Sequence, residues 1–185
     1  MADICEPQTP ADVAGIRVSP DERIHVASLR YFDPDGMFSR AVPRYVGAPL
    51  PDRCRATTVF PGIDTDRTIL AWCSPTETLL LCDNAALITQ LHADVVTHDD
   101  GCVIDLTGGA WVLRVNGEAI AALFARMGGQ ATLPGLGEAR RSRLADVPVL
   151  ALQVQPGEIL LIVDRVFVEH LMAWIRVSAA DLDIA

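Results

Sequence analysis

The chain has 185 residues, half of them hydrophobic and 21% charged, enough to bury a full core and to form one domain with or without an N-terminal extension. Its 24 acidic residues outnumber 15 basic ones, and a formal charge of −9 argues against binding a phosphate backbone unless a local basic patch offsets it. The five cysteines, Cys5, Cys54, Cys73, Cys82 and Cys102, form no C-x-x-C pair, which excludes the common zinc and redox motifs and suits a reducing compartment.

Residues 1–22, with Pro7, Pro10 and Pro20, read as an extended N-terminal lead-in. They carry neither a charged n-region nor an apolar h-region, so no signal peptide is expected. No apolar run approaches the roughly 20 residues needed to cross a bilayer, so a soluble, cytoplasmic protein is expected. Residues 23–32 alternate as a strand, Asp33-Pro34-Asp35-Gly36 is a turn, and 37–46 is a helix candidate weakened by Pro43. Residues 52–67 read as loop with one edge strand over 57–60. Strands are expected over 68–73 and 77–82, joined by Ser74-Pro75-Thr76, and Asp83 or Asn84 then caps a helix to about Ala93. The pattern recurs with strands over 103–106 and 110–115 around Thr107-Gly108-Gly109, and a helix over 118–127 capped by Asn116. Residues 128–146 read as a Gly-, Pro- and Arg-rich connection. Strands over 147–154 and 158–163, and a helix over 166–175, make a third unit. Three strand-strand-helix units at roughly 40-residue spacing form a weak internal repeat. Hairpins joined to helices predict an α+β fold, with mixed or antiparallel sheets and helices packed on one face.

The residues that could carry chemistry do not assemble into a known motif. His92, His98, Asp99 and Asp100 are the one imidazole–carboxylate cluster, but they lie at a helix end and the following loop and match no metal-ligand spacing. Ser74 and Ser142 lack a nucleophile elbow. Gly108-Gly109, Gly128-Gly129 and Gly135-Leu136-Gly137 fit neither dinucleotide nor P-loop patterns, and the first pair reads as hairpin turn chemistry. Arg140, Arg141 and Arg143 read as a solvated loop or, alternatively, as an anion-binding or docking spot. Trp111 and Trp174 read as core or interface anchors. From the residues alone the chain reads as a binding or interaction domain.

Four segments carry a family resemblance. Ile69 to Leu81, Val103 to Ala119 and Val163 to Ile175 resemble, in order and spacing, segments of the gamma subunit of heterotetrameric sarcosine oxidase, and Ala41 to Pro51 matches loosely. The resemblance spans residues 23–176, leaving 177–185 as a C-terminal tail. It implies the fold of the folate-binding domain of the glycine-cleavage T-protein, an aminomethyltransferase. It also implies a non-catalytic subunit packed on the large, alpha-type subunit of a complex that uses FAD, FMN, NAD and tetrahydrofolate, none of them bound by this chain alone.

Two departures qualify that implication. The acidic pair of the T-protein falls on Val147 and Pro148 here, so the carboxylate for acid–base work in one-carbon transfer is missing and no catalytic residue is expected. The family's segment after the second helix is replaced by Gly128 to Pro134. The leading expectation is a gamma-type accessory subunit in oxidative demethylation of sarcosine. The alternative is a stand-alone folate or small-acid binder, with Asp105 and Thr107 at the pocket mouth and an arginine from 140–143 supplying charge.

Overall fold

The computed structural model describes residues 11–13, 15–59, 66–95 and 99–182. In chain order these form β1 (Ala11–Val13), β2 (Ile16–Pro20), β3 (His25–Tyr31), α1 (Met37–Ala41), α2 (Pro43–Val46), β4 (Ala56–Val59), β5 (Thr68–Ser74) and β6 (Glu77–Cys82). There follow α3 (Ala85–Val95), β7 (Gly101–Asp105), β8 (Ala110–Gly117), α4 (Ile120–Gly128), β9 (Glu138–Leu144), β10 (Val147–Gln155), β11 (Glu158–Asp164) and α5 (Val168–Ala180), the last preceded by a 3-10 turn over Arg165–Phe167.

The strands make two sheets, one of six in the order β1-β2-β8-β11-β10-β9 and one of five in the order β4-β5-β6-β3-β7. All of these strand pairs are antiparallel. The sheets stack face to face and each carries helices on its outer face, which explains why their central strands are apolar on both sides. Alternate residues of β10 and β11 serve two cores. Val147, Val149, Ile159, Leu161 and Val163 meet Leu123, Phe124, Leu171 and Ile175 of α4 and α5. Leu150, Leu152, Leu160 and Ile162 instead face Ile69, Ala71, Leu79 and Leu81 of the other sheet. The five-stranded sheet turns Ala27, Leu29, Leu70 and Leu80 toward Phe38, Val42, Ile88 and Leu91 of α1 to α3. The expected α+β architecture is therefore the one observed.

Several boundaries differ from expectation. The lead-in assigned to residues 1–22 gives way over 16–20, where β2 pairs with β8 and buries Ile16 and Val18 in the helix-side core. A boundary at residue 23 thus falls inside the folded unit. The tail assigned to 177–185 begins within α5, which runs to Ala180 and buries Ser178 and Ala179. Pro43 divides the first helix into α1 and α2, as its missing N–H and fixed φ favour a first-turn position. Asn116 is not a helix cap: it sits in β8 opposite Glu158 and Arg17, and α4 starts after Ala119 with no side-chain cap.

The largest correction concerns 103–115. The two strands are not a hairpin: β7 pairs with β3 in one sheet, and β8 with β2 and β11 in the other. Gly108 does hold the positive φ expected of turn chemistry, 81°, but it turns a corner between sheets. The middle unit of the apparent repeat is thus split across the sandwich. The connection at 128–146 also contains an unexpected strand, β9, an edge strand rich in arginine. That edge is tied down: Ala56 N–H donates to the Gly137 carbonyl and Ala139 N–H to the Cys54 carbonyl, both at 3.0 Å, joining the two sheets at one side.

Candidate functional site

The expected site residues Asp105 and Thr107 sit at the sheet-switching corner. Asp105 Oδ1 accepts from the Thr107 N–H at 2.8 Å, a local Asx-type bond that shapes the bend. The Thr107 hydroxyl accepts from the Val26 N–H at 3.3 Å and lies 3.5 Å from the Val26 carbonyl, extending the β3–β7 ladder by one side chain. Leu106 N–H donates to the same carbonyl at 2.8 Å, and Arg165 N–H donates to the Gly109 carbonyl at 2.8 Å. These bonds use one Asp105 oxygen and the Thr107 hydroxyl to shape the corner. Thr107, with Asp21, Glu22 and Trp111, lines a cavity of about 380 Å³; among its described lining residues there is neither Asp105 nor any arginine of 140–143.

The arginines lie elsewhere. Arg140 is bound by Glu138 and by the Ala131 carbonyl, and Arg143 donates to the Asp146 carbonyl at 2.6 Å. The Glu138 carboxyl is held below the usual carboxylate range by the Gly135 N–H and then by Arg140. Arg141 alone turns into the space between the sheets. There a cleft of about 280 Å³ is lined by Arg141, Pro148 and Asp164 from the six-stranded sheet and by Arg30, Cys73 and Glu77 from the five-stranded one. Glu77 accepts from the Ser28 hydroxyl at 2.6 Å and lies 3.6 Å from Arg30. Pro148 marks the strand head where the resemblance places an acid. The cleft has carboxylates all the same, contributed by Glu77 and Asp164 from other strands, which strand-by-strand comparison did not anticipate. Alternation was the signal that could have found them, since Asp164 follows Ile162 on the inward face of β11.

At the opposite end of the sandwich lies a second polar cluster that sequence reasoning missed. Arg114 binds Asp21 and Glu158 through separate guanidinium nitrogens, while Arg67 lies 3.7 Å from Asp21 and 4.0 Å from Glu158. Both carboxylates are 6% exposed. Burial would lower the Arg114 pKa, but its hydrogen bonds to Asp21 and Glu158 outweigh that and raise it. Asp21, Arg114 and Glu158 belong to the six-stranded sheet or its flanks and Arg67 precedes β5, so the cluster ties the sheets together.

The His92–Asp100 cluster does not form a metal site among the described residues. Asp100 accepts from the Phe38 N–H at 3.1 Å, steadying the start of α1, His92 is exposed on α3, and His98 lies outside the described residues. Trp111 packs beside the helix-side core, whereas Trp174 is 48% exposed. With Val177, 59% exposed, Trp174 borders a groove of about 490 Å³ between α4 and α5 that also includes Met127, Ala145 and His170.

The described thiols divide by burial. Burial pushes Cys73 and Cys82 up to about 11 from an ordinary 9.0, so both are neutral at neutral pH. Because the folded values are raised, this contribution to stability is complete below about 9 and is lost as pH rises through 11. Cys54 and Cys102 are exposed. Ellman's reagent at pH 8 is expected to modify Cys54 and Cys102 well before Cys73 and Cys82, with peptide mapping as the check. Early modification of Cys73 would contradict the partial burial that raises it.

Two stacked antiparallel sheets, helices on both outer faces and a strand pair divided at a sheet-switching corner define an α+β domain. The chain has that fold in common with a chain of heterotetrameric sarcosine oxidase from Corynebacterium sp. U-96, at a TM-score of 0.80 and 23% identity over 95% of this chain and 89% of that one. It is also similar to the glycine cleavage system aminomethyltransferase T from Bartonella henselae, at a TM-score of 0.63 and 15% identity, covering 88% of this chain but 46% of that longer one. No protein-family model matches the sequence, and a search of curated proteins found no match. Among the described residues no helix is long and apolar enough to cross a membrane.

Proposed function

We propose that the chain is a gamma-type accessory subunit of a sarcosine oxidase-like complex, where it stabilises an alpha-type large subunit and carries no catalytic residue or cofactor of its own. The observation that carries this reading is the end-to-end likeness to a chain of a heterotetrameric enzyme, 95% of this chain against 89% of that one. That match takes in most of both chains, whereas the aminomethyltransferase is more than twice as long as the part matched. Two further features support it. Val147 and Pro148 stand at the head of β10 where the resemblance puts acids. In addition, α5 has apolar residues on two faces: Leu171, Met172 and Ile175 enter the core, while Trp174 and Val177 face outward beside the α4 groove, a surface suited to a partner.

Folate as a ligand of this chain alone fits poorly. The 280 Å³ cleft lies below the roughly 300–1,000 Å³ of sites for drug-sized molecules, and the larger cavity at the corner presents Asp21 and Glu22 rather than cations to a doubly acidic tail.

Co-expression tests the reading. The chain is expected to co-purify with the large subunit and to raise that subunit's melting temperature. Trp174→Glu should abolish co-purification while the isolated chain keeps its fold, and Met37→Glu, on the other helical face and 66% exposed in the native residue, should leave it intact. A chain that elutes alone and leaves the large subunit's stability unchanged would refute the proposal.

A further inference from the structure

The cleft between the sheets has a composition that neither docking nor folate chemistry accounts for. Its charged lining residues are two cations, Arg30 and Arg141, and two anions, Glu77 and Asp164. One opposite pair is already satisfied, since Glu77 takes the Ser28 hydroxyl and lies beside Arg30 on the neighbouring strand. The other two are not. Among the described residues Arg141 has no carboxylate partner and makes one long contact, 3.9 Å, to the Cys73 sulfur. Asp164 has no cation within 4.0 Å among them.

Register places these two groups as the poles of one site. Arg141, Leu150 and Ile162 stand opposite one another across β9, β10 and β11, and all face the other sheet. Asp164 follows Ile162 by two residues and so shares that face. Two strand spacings and two residues along the strand separate Arg141 from Asp164, about 12 Å between their backbones, and an arginine side chain spans about half of that. The gap that remains suits a head group of a few atoms bearing both charges. Leu150 and Ile162 form the floor, and Leu79 of the other sheet forms the roof. The floor residues Leu150 and Ile162 are buried, while Arg141 and Asp164 are exposed at the cleft rim, where both charges are open to an entering ligand.

We propose that this cleft binds a small zwitterion with an apolar body, an α-amino acid of about valine size, with its carboxylate on Arg141 and its ammonium on Asp164. The claim is independent of docking by α5, so a failed pull-down and a failed titration are separate results.

The test titrates the isotope-labelled full chain with L-valine and with its two matched single-charge analogues. The analogue 3-methylbutanoate lacks the ammonium, and 2-methylpropylamine lacks the carboxylate. Valine is expected to give saturable amide shifts centred on residues 141, 150 and 164 and to bind about tenfold more tightly than either analogue, because each lacks one charge-assisted contact. Arg141→Ala and Asp164→Asn should each weaken valine by about tenfold. Arg141→Lys should restore part of the affinity by keeping the charge without the fork. His92→Ala, exposed on α3 and outside the cleft lining, should have no effect on valine. The proposal is overturned if no ligand saturates, if 3-methylbutanoate binds as tightly as valine, or if Arg141→Ala binds valine as the parent chain does.

Discussion

Arg114→Met is expected to lower the unfolding free energy by about 3 kcal/mol, seen as a reduced urea midpoint with an unchanged m-value. Arg114 is the central cation between two carboxylates that are each 6% exposed, and methionine would leave both without their nearest positive charge. Removing one partner of a buried pair costs roughly 3–5 kcal/mol, because the remaining ion stays desolvated and uncompensated. The lower end of that range applies here for two reasons. The Arg114 side chain is 22% exposed, so solvent screens it in part. Arg67 also remains, 3.7 Å from Asp21 and 4.0 Å from Glu158, and takes up some of the lost attraction. The double replacement Arg114→Met, Glu158→Leu should recover part of the loss, since it removes the stranded charge as well. Arg126→Ala breaks a pair at 2.5 Å whose side chains are 44% and 48% exposed, and should cost well under about 1 kcal/mol. Equal effects for Arg114 and Arg126 would show that the inner network is as well solvated as the outer pair.

Gly117→Ala should cost a similar amount, about 3 kcal/mol, for a purely steric reason. Gly117 ends β8 with φ at +139°, a region that residues with a Cβ rarely enter. An added Cβ would also lie 2.1 Å from the Gly15 carbonyl oxygen and 3.0 Å from the Ile16 Cα. Those atoms are backbone, and no rotamer change can relieve the contact. The clash falls where Ile16 pairs with Gly117, so the damage should spread along β2 and appear as faster amide exchange over 16–20. Gly108→Ala is the contrasting case. It has positive φ, 81°, but nothing within 4 Å of the added carbon, so only the conformational penalty of about 1 kcal/mol applies. If both variants cost the same, the close approach of β2 to β8 is not what requires glycine at 117.

The hairpins β5–β6 and β10–β11 were legible from local sequence because each joins two apolar runs through a compact turn, Ser74-Pro75-Thr76 or Gln155-Pro156-Gly157. Thr107-Gly108-Gly109 has the same local character yet joins different sheets. Positive φ at Gly108 serves a tight hairpin or a corner equally well, and the choice depends on partners far away in sequence, β3 for one flank and β2 with β11 for the other. β9 escaped notice for the opposite reason. Its Arg140, Arg141 and Arg143 resemble a loop, but charge is what an edge strand tolerates, and hydrogen bonds through 54–56 cover the rest of that edge. The candidate site was legible only in pieces. An arginine of 140–143 does enter a cavity, but in company with Asp164, Glu77 and Arg30 rather than with Asp105 and Thr107.

Sequence alone determined most helices and strands, the α+β class and the likeness to the aminomethyltransferase fold. The elements and the class follow from short-range periodicity, turn residues and the order of apolar segments, all written locally along the chain, whereas the likeness is what the family resemblance of four segments implies. Tertiary structure alone decided which sheet each strand joins, and with it every polar cluster of interest. Asp21, Arg67, Arg114 and Glu158 meet across 137 positions of sequence (158 − 21), and Arg141 and Asp164 line one cleft with a strand between them. Such meetings depend on strand order, register and the stacking of two sheets. These are set by burial of the whole apolar surface at once, so no local pattern of residues encodes them.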